Sequence, residues 1–400
     1  MLENTIAFVK NKQAFAAGFL FSAASILLGI WVAAIPGIAT RLHLSHSALG
    51  FSLLMTPLGA FTGVALSTKI FSRLPVGKWL LAGHLFFCLV IIMQVTAPNR
   101  FVFWLALYLH GLVGFLNGVS VNAVVDMLEK KYNKRIMSSC HGMYSIGGGI
   151  GAGMAAFLFS VQLTSSWQVV IVALTIASIL FSIKSLLLGH KEIIHSGSSL
   201  RIPSSGILGI SVICLVLFMA EGCVADWSAI YLRESLQSSK EWMSLGYAGF
   251  SVAMTIGRFN GDRLIAHLGS RKIVIAGCIV AAAGFVLVSL AVNIIMAVGG
   301  FVLVGFGCSC IVPVLFSTSA NIPGLSPVEG FAMVTTGGLI GFLAGPSVIG
   351  IISEKINLSS GFAFVFLLIT AAMVIAMKNR FLNKSNGKVI TNTTYNEQFL

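Results

Sequence analysis

Two acidic residues lie close together in a long apolar stretch just beyond the middle of the chain. Glu221 and Asp226 fall within the segment 206–232, and no Lys or Arg lies within ten positions of Glu221. A charged side chain inside a membrane is costly, so an acid in such a segment is a functional candidate. A carboxyl group that is neutral when dry and exchanges a proton when wetted meets the requirement for proton coupling. We predict that Glu221 couples protons or binds solute; the alternative is a structural carboxyl hydrogen-bonded to a neighbouring helix.

Asp226 and Trp31 are weaker candidates for the same site. Asp226 follows Glu221 by five positions, which is about 140° around a helix, so it faces another direction. A role in the site and a structural role at the outer helix end are both open for it. Trp31, in the segment 14–39, is a candidate cavity wall.

Polar residues in the segment 101–125 form a second candidate surface. His110, Gly114 and Asn117 have i, i+4, i+7 spacing, which places them on one face of a helix. Asn122 adds a further polar group nearer the cytoplasm. We expect His110, Asn117 and Asn122 to be solute-site candidates, although a lone histidine in such a helix often serves only helix–helix hydrogen bonding.

The composition indicates that lipid surrounds the elements carrying these residues. Hydrophobic residues make up 57% of the 400 and charged residues only 9%, with a mean hydropathy of +0.95. A soluble domain carries about 25% charged residues, so this chain lacks the polar residues to cover a surface in water. Each crossing of a bilayer needs about 20 apolar residues, and the chain has room for twelve.

The seven cysteines lie in or beside apolar segments, where Cys behaves as a small hydrophobe. We expect no metal site and no cofactor.

Hydropathy and breaks at charged residues, Pro and Gly divide the chain into twelve predicted helices. Their approximate ranges are 14–39, 47–68, 78–96, 101–125, 136–161, 166–188, 206–232, 243–265, 272–293, 297–320, 328–352 and 360–379. The predicted fold class is an all-α membrane protein of two pseudo-symmetric six-helix halves. The expected units are the N-terminal half at 1–190, a cytoplasmic linker at 191–204, the C-terminal half at 205–380 and a cytoplasmic tail at 381–400.

The distribution of basic residues supports this layout. Twenty of the 25 Lys and Arg residues fall in segments predicted to lie inside, and five fall outside. Such a bias is typical of membrane proteins with cytoplasmic termini. The formal net charge of +13 therefore indicates topology, and we expect contact with lipid headgroups and no nucleic-acid partner.

Short similarities relate the two predicted halves. The sequence 49–51 (LGF) resembles 245–247 (LGY), and 113–115 (VGF) matches 304–306 (VGF). The segment 79–83 is likewise similar to 273–277. Offsets of about half the chain predict two parallel repeats, with a solute site between them near the membrane midplane.

The connection between the eighth and ninth predicted helices carries a dense motif of glycines and charges. Its members are Gly257, Arg258, Gly261, Asp262, Arg263, Arg271 and Lys272. Two glycines four apart allow a neighbouring helix to approach closely, and the basic residues suit anionic headgroups. The matching positions in the first half hold Gly63 and Lys69, but Thr68 stands where the acid is expected. We predict a gating role for the C-terminal copy alone.

This motif resembles the signature cytoplasmic loop of the major facilitator superfamily. The resemblance implies that the motif latches the cytoplasmic side when the cavity faces out, and that helices 1, 4, 7 and 10 line the cavity. The segments 135–148, 220–232 and 341–346 are also similar to YbjJ-type inner membrane proteins of the fucose-permease-like branch. That group implies transport of a small solute and names no particular one.

These features favour a secondary transporter of a small polar solute, such as a sugar or organic acid, working by alternating access with proton coupling. The chain has no phosphate-binding Gly-x-x-x-x-Gly-Lys-Ser/Thr motif, and no arrangement typical of an enzyme. Efflux of an amphipathic compound by proton antiport and a non-transporting receptor are the alternatives. We expect a monomer in the bacterial inner membrane.

Overall fold

A computed structural model describes residues 8, 10–132, 136–190, 201–204, 207–319, 321–323, 325 and 327–384. All regular secondary structure in this part is helical. The predicted linker 191–204 is described only at 201–204, and the predicted tail 381–400 only at 381–384.

Six membrane-length helices form the first half. They are α1 (Lys12–Arg41), α2 (His46–Leu53 continuing as Met55–Phe71), α3 (Val76–Thr96), α4 (Arg100–Tyr132), α5 (Met137–Ser160) and α6 (Ser165–Ser182). A short helix, Lys184–Leu188, follows α6. Side chains accept hydrogen bonds at the starts of α1 and α2, where Asn11 and Ser45 cap free backbone N–H groups.

The second half repeats this order. Its helices are α7 (Leu208–Ile230, ending in a wide turn at Tyr231–Ser235), α8 (Leu245–Leu268), α9 (Ser270–Ser289), α10 (Ile294–Cys308 continuing as Ile311–Ser319), α11 (Pro327–Lys355) and α12 (Leu358–Lys378), with a short α13 (Arg380–Lys384). Asn293 and Asn357 cap the starts of α10 and α12 with their side-chain oxygens. Gly269, with φ 78, permits the abrupt turn between α8 and α9.

The structure confirms a helix at each of the twelve predicted positions. Judged on the described residues, eleven of them are long and apolar enough to cross a membrane by length and composition. The twelfth, α8, carries Arg258 and the polar residues that follow it, which lowers its hydropathy. The predicted helices 47–68 and 297–320 each break once, at Leu54 and at 309–310. Each break lies just before a proline, Pro57 or Pro313, whose missing N–H removes a backbone hydrogen bond.

Helix pairing is the same in the two halves. In the first half α1 packs on α5, α2 on α4, and α3 on α6. In the second half α7 packs on α11, α8 on α10, and α9 on α12. These pairs are equivalent under a shift of six helices, as expected for the parallel repeat that the sequence similarities indicate.

Glycines allow the close pairs to form. A Cβ atom on Gly29 would lie 2.5 Å from the Gly148 carbonyl oxygen, so α1 and α5 meet backbone to backbone. A Cβ on Gly59 would lie 1.9 Å from the Tyr108 carbonyl oxygen, where α2 meets α4. Small residues serve this purpose in membrane interiors, where close van der Waals packing holds helices together.

The most extensive contacts between the halves are those of α2 with α11 and of α5 with α8. These pairs are also equivalent under the repeat. The contact of α2 with α11 is concentrated in the segment His46–Leu53, at the end of the bundle where α1 leads into α2. We call this the external end, following the predicted topology, and the opposite one the cytoplasmic end.

Candidate solute cavity

A cavity of about 450 Å³ lies between the halves. This is within the usual size range of small-molecule sites. Its described lining residues come from α1, α2, α3, α4, α5, α7, α8 and α11. Helices α1, α4 and α7 contribute as the family resemblance implies. No described lining residue comes from α10, and α2, α5, α8 and α11 contribute instead.

Glu221 lies on α7 and lines this cavity. Its Oε1 atom is buried and has no hydrogen-bond partner in the described structure. The Arg258 guanidinium on α8 is close enough to act electrostatically on Glu221, without an ion pair between them within 4 Å among the described residues. A buried, unpartnered carboxyl oxygen beside a cavity is available to a proton or a solute, because no protein group already uses it.

Asp226 also lines the cavity. No described residue forms a hydrogen bond or ion pair with its carboxylate. The next residue, Trp227, is fully buried and lies edge-on to the His46 ring, with the ring centroids 5.9 Å apart. The two acids of α7 therefore face one cavity despite the 140° between them, because the cavity borders a wide arc of the helix that also includes Gly222 and Ala225.

Trp31, His110 and Phe87 form an aromatic wall. His110 meets Trp31 edge-on at 6.0 Å and Phe87 at 5.0 Å between ring centroids. Behind the ring, Nδ1 of His110 lies 2.9 Å from Nε2 of Gln94. The Trp31 indole Nε1 is buried without a hydrogen-bond partner in the described structure, so it can donate to a solute.

The residues of the predicted polar face of α4 lie in two different environments. His110 and Gly114 line the cavity, whereas Asn117 is buried against α3. There its Oδ1 accepts from Trp79 Nε1 at 3.0 Å and its Nδ2 donates to the Gly83 carbonyl at 3.2 Å. Its amide thus serves helix packing in this structure.

Asn122 lies one turn nearer the cytoplasmic end of α4. It donates to the Gly118 carbonyl of its own helix at 2.8 Å and is not among the described residues that line the cavity.

The predicted gating motif occupies the α8–α9 corner. The side chains of Asp262 and Arg263 lie outside the described residues, whereas Lys272 is exposed. The Arg271 side chain donates to the Met377 carbonyl on α12. Gly257 and Gly261 face α10: a Cβ on Gly257 would lie 2.1 Å from Ser309 Oγ, and one on Gly261 would lie 3.1 Å from Cys310 Sγ.

Arg258 reaches from this motif into the cavity. It is a lining residue, and its Nη1 donates to Ser145 Oγ on α5 at 2.9 Å. The next residue, Phe259, places its ring against Gly142 of α5, one turn before Ser145. These two contacts connect the halves on the cytoplasmic side of the cavity.

Sequence reasoning missed several cavity residues. Tyr144, Tyr247, Ser251 and Phe342 all line the cavity, and the two tyrosines lie within electrostatic range of Glu221 and Arg258. They come from α5, α8 and α11, which were not expected to line it. Their spacing, Tyr247 to Ser251 and on to Arg258, is i, i+4, i+11, a helical face that was available as a signal.

Contacts between the halves close the external end. His46 Nε2 lies 2.8 Å from Glu234 Oε2, and the Ser47 backbone N–H donates to Glu354 at 2.7 Å. Deeper in, Ser347 Oγ donates to the Gly50 carbonyl at 3.1 Å. A cavity between two repeats, with contacts between the halves on both sides of it, is the geometry expected of an alternating-access transporter.

Comparison with known proteins identifies the family. The model of the Major Facilitator Superfamily matches residues 14–324 and 209–394. The chain therefore belongs to the Major Facilitator Superfamily of transporters, and its predicted role in transport, not catalysis, is confirmed at that level.

Similar proteins are known by sequence and by structure. An uncharacterized MFS-type transporter of Yersinia pestis is 31% identical over 350 residues, covering 87% of this chain and 91% of its own length. An uncharacterized transporter of Sinorhizobium fredii is 29% identical over 90% of this chain and 96% of its own length. The membrane protein MosC of Rhizobium meliloti is 25% identical over 92% of this chain and 90% of its own.

Solved structures of the nucleoside transporter NupG have the same fold. A point mutant superposes with a TM-score of 0.71 at 12% identity, covering 91% of this chain and 100% of that one. A second NupG structure gives 0.66 at 14% identity, covering 94% and 100%. At these identities the likeness shows the twelve-helix fold alone.

Proposed function

We propose that this transporter moves a small polar solute, such as a sugar or organic acid, across the bacterial inner membrane in symport with protons. The cavity volume fits a solute of that size. The observation that supports proton coupling is the buried Glu221 Oε1, which has no hydrogen-bond partner in the described structure.

Glu221 and Arg258 together supply the coupling. When Glu221 is ionised, Arg258 stabilises its charge; when it is protonated, Arg258 is free to bind a solute oxygen in addition to Ser145. Both side chains line one cavity but come from α7 and α8, so a relative movement of these helices changes how strongly they interact. Proton binding and solute binding then depend on each other.

The α8–α9 corner is proposed as the cytoplasmic gate. Gly257 and Gly261 support this, since they let α10 pack against α8 next to Arg258. Arg271 ties the corner to α12, and Lys272 is exposed for headgroup contact. With Asp262 and Arg263 they make up the motif that resembles the family latch.

Finer assignments follow from the sequence. The bias of basic residues supports cytoplasmic termini, and bacterial relatives support the inner membrane. The segments similar to YbjJ-type proteins support the fucose-permease-like branch, and we propose a monomer as the transporting unit.

Proton antiport of an amphipathic compound is the alternative to proton symport. The sign of the solute flux in energised vesicles separates symport from antiport.

A solute screen comes first. Purified protein is heated with sugars, amino acids, nucleosides and organic acids, because a ligand that binds the folded state raises the unfolding temperature. Compounds that raise it are then tested for uptake into proteoliposomes.

Glu221→Gln should abolish proton-driven accumulation of the identified solute while leaving solute exchange partly intact. The glutamine keeps the size of the side chain but cannot release a proton. Accumulation is measured under an imposed pH gradient, and exchange is measured without one. Glu241→Gln, on the connection between α7 and α8, is the matched control and should behave as wild type. Unchanged accumulation by Glu221→Gln would refute the coupling role.

A further inference from the structure

The cavity contains two acids but only one of them has a basic neighbour. Arg258 acts on Glu221. Asp226, by contrast, has no hydrogen bond or ion pair with any described residue. The described charged side chains that line the cavity are Glu221, Asp226 and Arg258. With both acids ionised the cavity therefore carries one uncompensated negative charge.

The surroundings of Asp226 are apolar and aromatic. Among the described residues that line the cavity, Asp226, Trp31 and His110 are the ones nearest the external end on α7, α1 and α4, which places them in one layer at the external end of the cavity. Phe87 contacts His110 in this layer. An ionised carboxyl in such surroundings is stable only when a cation comes to pair with it. Aromatic faces add attraction for a cation, in particular for an organic one.

The described residues do not favour a metal ion as that cation. They contain no group of three or more His, Cys, Asp or Glu side chains that could hold one. An organic ammonium group needs fewer protein ligands, since a carboxylate and ring faces suffice. The Trp31 indole N–H, buried without a partner in the described structure, can donate at the same time to a hydroxyl or carbonyl of the solute.

From these observations we propose that Asp226 is a subsite for an ammonium group, and that the transported solute is a small polar amine. This deepens the proposed function and rests on it. The amine pairs with Asp226 in the aromatic layer, and Glu221 with Arg258 remains available, about 7 Å further along α7, for the proton and the rest of the solute.

The test compares matched probes in equilibrium binding to purified protein without any pH gradient. The probe pairs are glucosamine with glucose, and tyramine with 4-ethylphenol. Glucosamine carries an ammonium group where glucose has a hydroxyl, and tyramine carries one where 4-ethylphenol has a hydrogen. We expect the amine of at least one pair to bind at least about tenfold more tightly than its neutral partner, since an unpaired buried charge is strongly disfavoured.

Variants assign the preference to one carboxyl. In Asp226→Asn the affinities of the amine and its neutral partner should differ by about twofold or less. Asp226→Glu, which keeps the charge, should retain the preference for the amine. Glu221→Gln should also retain it, so that loss of proton coupling and loss of amine recognition are separable. Asp126→Asn, in the exposed pair with Lys130, is the control for folding and should match wild type.

Four results would overturn the amine subsite. The first is that both neutral probes bind as tightly as their amines. The second is an amine preference that survives Asp226→Asn, and the third is the failure of both amines to bind a protein that transports another solute. A sodium-dependent stabilisation lost in Asp226→Asn would also contradict it, because the subsite would then belong to an inorganic cation.

Discussion

At the scale of single residues, the side chain of Asn117 shows what periodicity leaves undetermined. Its spacing from His110 places it on a shared helix face, but the fixed partners Trp79 and Gly83 on α3 occupy its amide. Spacing along α4 reveals neither partner, because both come from a neighbouring helix. Glu221 is the opposite case, since an isolated acid in an apolar segment stands out in the sequence, and the structure places it at the cavity.

The contacts of Asn117 lead to a prediction about stability. Asn117→Ala should destabilise the fold by about 1–3 kcal/mol, because it leaves the partly buried Trp79 Nε1 and the Gly83 carbonyl without this partner. Thermal unfolding in detergent measures the change. Asn122→Ala, which removes a bond only within α4, should have a smaller effect.

A functional readout separates packing from solute contact. Folded Asn117→Ala protein should keep the solute affinity of wild type. If affinity fell by tenfold or more while the unfolding temperature stayed the same, Asn117 would be a solute ligand and not a packing residue.

At the scale of helices, most of the fold could be predicted from the sequence. Apolar runs of membrane length define eleven helices, and the motif of α8 indicates the twelfth despite its polar residues. The break before Pro57 was not predicted, because proline also fits unbroken in α1 and α11, at Pro36 and Pro346. Lining of the cavity by α5, α8 and α11 depends on how the halves approach each other, which hydropathy does not encode.

The contact of α2 with α11 predicts how the external end can be opened by mutation. A Cβ on Gly50 would lie 2.5 Å from the Pro346 carbonyl oxygen, so Gly50→Val should force the two helices apart. Leu53 lines the cavity behind this contact. In a Leu53→Cys background, Gly50→Val should increase labelling by a membrane-impermeant thiol reagent added from outside.

The chain provides a matched control for this opening. Gly153, on α5, has nothing within 4 Å of where its Cβ would be, so Gly153→Val should leave labelling unchanged. Equal labelling of Gly50→Val and its parent would mean that the contact of Gly50 with α11 does not keep the external end closed.

At the scale of the whole molecule, the central claim is that two equivalent halves expose one cavity to the two sides in turn. In this structure the halves meet at the external end through His46 with Glu234 and through Ser47 with Glu354. Arg258 and Phe259 of α8 contact α5 on the other side of the cavity. Alternating access requires that these two sets of contacts open in turn.

Distances between paired spin labels test this most directly. One pair is attached at Ser47 and Lys355 for the external end, and another at Lys130 and Asn321 for the cytoplasmic end. The seven native cysteines are buried, which favours selective labelling. Both pairs are measured in transport-active liposomes, with and without solute, at acidic and alkaline pH.

We expect two populations in which the external distance lengthens as the cytoplasmic distance shortens. Distances that change in the same direction at both ends, or that stay single-valued while solute is being transported, would contradict the account.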